Sequence, residues 1–148
     1  MNRLKLLFLT LIFVVLTSNS TFACSCIGPD SPKEALKIWS DAVFSGEIIA
    51  VNGEDFTFKV ERVWKGVSDK EIVVLDSFVG SSCDSGLKIG GRYIIFASFL
   101  KDKDKTTSVN EQGKPIFHID TCSWSASLAN PNTNKKIIKK LGKGKSIN

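Results

Sequence analysis

The residues best placed to do chemistry in this chain are Cys24-Ser25-Cys26, which directly follow a stretch that reads as an export leader. Cleavage after Ala23 leaves Cys24 first in the chain with a free α-amine. Its ordinary pKa of about 8 keeps some of the amine neutral at pH 7. That nitrogen and the carbonyl oxygen of Cys24 are joined by two backbone atoms, so together they can close a five-membered ring on a metal ion. A catalytic zinc held by three protein ligands keeps an open position, normally filled by water. A rigid terminus could displace that water, whereas a floppy one would lose its freedom on binding and forfeit the affinity. The plainer alternative is that the two cysteines only tie down a terminal strand.

The leader is read from residues 1–23. Arg3 and Lys5 give a positive start, Leu6 to Leu16 is apolar apart from Thr10, and Thr21-Phe22-Ala23 is a small-x-small cleavage end. The apolar run is shorter than the roughly 20 residues a membrane-spanning helix needs. Acylation of Cys24 as a lipid anchor is the rival use of that cysteine, although Thr21 and Phe22 are poor substitutes for the residues expected there. Export implies an oxidising compartment, and the even count of four cysteines (Cys24, Cys26, Cys83 and Cys122) then favours two disulfides. Three pairings exist. One intervening residue makes a strained ring between Cys24 and Cys26, so each is expected to reach a distant partner. A four-cysteine zinc site lacks the C-x-x-C spacing such sites favour.

The elements that must position these residues are mostly strands. SPKEALKIWS carries Ser31 as N-cap, Pro32 in the first turn and Glu34 three residues after the cap, which predicts a short helix ending near Ser40. AVFSGEIIAV (Ala42–Val51) reads as a strand and NGED as its turn. FTFKVERVW alternates, with Phe56, Phe58 and Val60 on one face and Thr57, Lys59 and Glu61 on the other. EIVVL, RYIIFASFL and PIFHIDTC supply three more strands, residues 101–114 a polar loop, and residues 134–141 a final helix. Five short strands in one domain of this length predict a mainly β fold, a five-stranded, partly open Greek-key barrel of the OB type with short flanking helices, stapled by disulfides.

No catalytic set assembles, so an enzyme is not expected. His118 is the only histidine and sits in an alternating strand, while oxidised cysteines cannot supply a thiolate. Asp55, Asp69, Asp76 and Asp84 lie in or near turns without obvious partners, and Gly90-Gly91 reads as a tight turn rather than a phosphate loop. Basic residues do not interleave with aromatics along a strand face, which argues against nucleic acid. Residues 135–148 form a lysine-rich tail: Lys135, Lys136, Lys139, Lys140, Lys143 and Lys145 crowd it, and no acid follows Asp120. Such a tail could hold an anionic surface, or simply be a solvated, frayed end.

Four features then converge. The cut chain opens with C-x-C; Ser40-Asp41 precede the strand AVFSGEIIA; a mid-chain cysteine follows small residues in Ser81-Ser82-Cys83; and HIDTCSW runs from His118 to Trp124. On these residues the chain, from 24 to about 130, resembles the netrin-like N-terminal domain of the tissue inhibitors of metalloproteinases, whose last motif is H-I-x-T-C-S-aromatic. The resemblance implies the OB-type barrel, with residues 24–134 as its domain, and the pairings Cys24–Cys83 and Cys26–Cys122. It implies a secreted inhibitor of zinc metalloendopeptidases with no cofactor of its own. In that role the amine and carbonyl of Cys24 take the target enzyme's zinc, and Ser25 enters the pocket beside it. Cys26, Ile27 and Gly28 continue along the cleft, and Ser81 and Ser82 complete the contact ridge. Three departures stand out: no cysteine lies near Ile38 to start the family's third bridge, the tail replaces the separate C-terminal domain, and the NGED turn is short. Netrin-like domains also serve as binding modules that inhibit nothing, and this is the competing expectation.

Overall fold

The computed structural model describes residues 26–81, 83–101, 108–110, 113, 115–120 and 122–147. A short helix α1 (Pro32–Glu34) continues as a π-helical turn, Ala35–Trp39, and leads into β1 (Ala42–Asn52). The strands β2 (Asp55–Lys65), β3 (Glu71–Leu75), β4 (Arg92–Phe99) and β5 (Phe117–Ile119) follow. β6 (Ala126–Ser127) precedes a C-terminal helical run made of α2 (Pro131–Thr133), the π-helical Asn134–Ile138 and α3 (Lys139–Leu141), and β7 (Lys145–Ser146) is the last strand among the described residues.

Strand pairing runs β1-β2-β3-β5-β4, and β4 returns to β1 in the register Ala42↔Ala97 to Glu47↔Arg92. The sheet is therefore closed. All barrel pairs are antiparallel except β3 with β5, where Val74 faces Phe117 and Leu75 faces His118. This is the five-stranded OB-type barrel, and closure removes the sheet edges that an open sheet of this size would expose. β6 adds to β4 and β7 to β2 on the outside.

Two apolar layers hold it together. Inside the barrel, Phe44, Ile48, Phe56, Phe58, Val60, Val74, Ile95 and Phe117 pack as one core, with the rings of Phe44 and Phe58 edge to face at 5.4 Å. The alternation in FTFKV thus does what the period of two requires. Gly46 permits the tight crossing of β1 over β2, since a Cβ there would stand 2.4 Å from the Lys59 carbonyl oxygen. Outside, Ala35, Val43, Ile94, Phe96 and Ile137 form a second buried cluster between the barrel wall and the helices.

The sequence expectations meet two departures here. The fifth strand is only Phe117–Ile119, because Asp120 turns the chain at once: its Oδ1 accepts the Cys122 N–H at 2.9 Å and its carbonyl accepts from the Ser123 N–H. The lysine-rich segment is packed rather than frayed. Ile137 is only 4% exposed, Ile138 and Leu141 lean on the same cluster, the Trp64 indole donates to the Gly142 carbonyl at 2.9 Å, and β7 pairs with β2. Its apolar residues at 137, 138 and 141 share one helical face, which outweighs the repulsion among lysines held in water on the other.

Candidate functional site

The segment beginning at Cys26 is fixed to the barrel by contacts of three kinds. Cys26 is bonded to Cys122, with 5.1 Å between their Cα atoms, and the bond closes a loop of 96 residues. In the chain-entropy picture such a loop is worth about 4–5 kcal/mol. Gly28 lies so close to the facing chain that a Cβ there would meet the Cys122 carbonyl oxygen at 2.7 Å. The Trp124 indole N–H donates to the Pro29 carbonyl at 2.9 Å.

Just beyond, the N-terminus of α1 is capped from both sides. The Ser31 hydroxyl accepts the Glu34 N–H at 3.2 Å, and the Glu34 carboxylate accepts the Asp30 N–H at 3.0 Å. The back-reaching glutamate therefore bonds one residue further upstream than the standard capping box has it. Residues 26 to 31 form a short non-helical lead-in to α1, tied at Cys26, Gly28, Pro29, Asp30 and Ser31. The side chain of Ile27 nevertheless stands 86% exposed, and Trp39 and Ile38 are exposed at the end of the π-helical turn. Ile27, Pro29, Trp39 and Trp124 line a cleft of about 80 Å³ beside the Cys26–Cys122 bond.

The loop after β3 is organised around two aspartates. Asp76 is 1% exposed and accepts hydrogen bonds from the Phe78 N–H, at 3.0 Å, and from the Ser85 hydroxyl. Asp84 accepts from the N–H groups of Gly80 and Gly86, each at 2.8 Å, and these bonds hold its carboxyl below the usual aspartate value. Ser81 sits between them: its hydroxyl donates to the Phe78 carbonyl at 2.7 Å and accepts the Cys83 N–H at 3.1 Å. Cys83 is in a disulfide.

The expected contact residues therefore divide. Cys26, Ile27 and Gly28 lie in the tied segment and Ser81 in the braced loop, whereas Cys24, Ser25 and Ser82 lie outside the described residues, as does any geometry of the Cys24 amine. His118 is in β5, paired with Ser98 of β4, and its buried Nδ1 has no hydrogen-bond partner among the described residues. Among the described residues no group of three or more histidine, cysteine, aspartate or glutamate side chains is arranged to hold a metal ion, and no helix is long and apolar enough to cross a membrane.

Sequence reasoning missed two supports. Asp76 reads as a turn residue without an obvious partner, yet it is the buried anchor of its loop; the signal is its position directly after the strand EIVVL, where an aspartate can bond the backbone two residues on. Trp124 was part of a motif but had no assigned role, and it holds Pro29. No protein-family model matches the chain, and no curated protein matches it.

Proposed function

We propose that the protein is an exported inhibitor of zinc metalloendopeptidases, acting through the free amine and carbonyl of Cys24 once residues 1–23 are removed. The observation that carries the reading is the way residues 26–29 are held: bonded at Cys26, wedged at Gly28, hydrogen-bonded at Pro29, and yet open to solvent at Ile27. A segment restrained before binding has little freedom left to lose, so contact energy is retained as affinity. Cys24 lies two residues upstream of that clamp, and its two backbone donors would take the open position of the target's zinc. Ser25 then points into the pocket beside the metal, Ile27 and Gly28 follow the cleft, and Ser81 with Ser82 supports the flank. The metal belongs to the target enzyme.

The test is chemical. Acetylating the Cys24 amine, or adding one residue before it, is expected to abolish inhibition of a panel of purified zinc endopeptidases while unfolding curves stay unchanged. Inhibition that persists with a blocked amine removes the mechanism.

A second reading is favoured by the packing of the C-terminal run. With Ile137 buried, Lys135, Lys136, Lys139 and Lys140 are held on the exposed side as a fixed cationic face. A non-inhibitory module that binds an anionic surface through that face would be indifferent to the state of Cys24.

A further inference from the structure

A second site lies on the barrel wall about 20 Å along β4 from the cleft beside Ile27, taking 3.3 Å per residue from Ser98 to Arg92. It arises from a β-bulge. Ser45 of β1 faces Arg62 of β2, while the next residue, Gly46, faces Val60, so Glu61 is the extra residue. Val60 and Val63 both turn to the core, and the bulge leaves Glu61 and Arg62 adjacent on the outer wall. A cavity of about 400 Å³ opens there, with Ser45, Arg62, Arg92, Trp64, Ser146 and the Glu61 carboxylate among its lining residues.

The polar groups in it are unequally satisfied. Arg92 donates to Glu61 at 2.5 Å, and that carboxylate raises the guanidinium's pKa further. The Trp64 indole N–H is taken by the Gly142 carbonyl. Arg62, by contrast, has no carboxylate within ion-pair distance among the described residues. Ser45 is 94% buried as a residue, but its outward hydroxyl is open to the cavity it lines and has no hydrogen-bond partner among the described residues. A hydroxyl open to a cavity keeps its O–H free to donate to what enters it, and Val43, two residues earlier on the same face, shows that apolar packing is accommodated on this wall. The lysines of the C-terminal run, with no acid after Asp120, add a positive field around the opening.

We propose that this cavity binds the oxyanion group of a small ligand, a phosphate, sulfate or carboxylate, between the forked guanidinium of Arg62 and the hydroxyl of Ser45. Arg62 supplies charge and paired donors that match an oxyanion's geometry. Ser45 supplies the donor at the floor, and Arg92, oriented by Glu61, forms the far wall. The site is separate from the segment at Cys26, so it does not depend on the inhibitory reading.

The oxidised chain is titrated with sodium sulfate, sodium phosphate and sodium acetate in turn, at constant ionic strength, while amide NMR shifts are followed. At least one anion is expected to give saturable shifts at Ser45, Arg62 and Ser146. Arg62→Gln and Ser45→Ala are each expected to weaken that binding at least tenfold without altering the rest of the spectrum. The anion that binds most tightly identifies the group. Shifts that never saturate, that fall on the lysine run instead, or that survive in either variant overturn the site. Binding lost in Arg62→Gln alone also overturns it, since a surface guanidinium would suffice.

Discussion

At the scale of single residues, the segment at Cys26 separates presentation from support. Ile27 is exposed and contributes little to the fold, whereas Gly28 is a packing requirement. An added Cβ at residue 28 would press on backbone, at the Cys122 carbonyl, and the disulfide next door prevents the two chains from parting. Gly28→Ala is therefore expected to lower stability by about 1–3 kcal/mol, the usual cost of overpacking, read as a lower midpoint in urea. Ile27→Ala is expected to stay within about 0.5 kcal/mol of the parent, as surface changes do. Equal effects from the two substitutions would mean that the segment is not clamped as described. Neither role is legible in CSCIGP itself. A glycine after two cysteines reads as a loop residue, and only the approach of Cys122 gives it a reason.

At the scale of elements, the strands were legible and their irregularities only partly so. EIVVL and RYIIF are apolar enough to be strands in any barrel, and the N-cap of α1 is written in SPKE. The face assignments hold through Glu61, and the bulge in β2 lies just beyond them, where Arg62 stays on the outer wall instead of turning inward. The sequence does carry its trace, because Val60 and Val63 are three apart where a regular strand would space core residues by two. The C-terminal run was legible as a helix but not as a docked one. Its anchor is Ile137, packed against Ala35, Val43, Ile94 and Phe96. Ile137→Ala is expected to cost about 2–5 kcal/mol, and to speed amide exchange across residues 131–146 more than in β1. Exchange that rises uniformly would place the helix within the barrel's own cooperative unit.

At the scale of the whole molecule, charge and apolar packing are sorted onto different sides of the same short run. The docked helix turns a string of lysines into a surface with fixed spacing. Each lysine near an anionic bilayer is worth about 1 kcal/mol, so replacing Lys135, Lys136, Lys139 and Lys140 by glutamine should weaken vesicle binding roughly a hundredfold to a thousandfold. Vesicles containing phosphatidylserine, compared at two salt concentrations, measure it: a screened interaction loses affinity as salt rises. Unchanged affinity in the glutamine variant ends the surface-binding reading. Inhibition of a zinc endopeptidase by that same variant would leave the other reading untouched, since that mechanism rests on the Cys24 amine and not on the lysines.

By itself the sequence determined the barrel. Alternating apolar residues, glycine turns and a capped helix each act over a few neighbours, and their period is visible in the chain. It also marked the cysteines as the place where an N-terminus could be stiffened. Tertiary structure alone decided which contacts do the stiffening: the bond from Cys26 to Cys122, the carbonyl against Gly28 and the indole of Trp124 on Pro29 join residues about 95 positions apart. The same holds for the pairing of Ser45 with Arg62 across the bulge, because register and closure depend on how whole strands pack around a shared core. No local pattern encodes a distance between residues that meet only when the barrel shuts.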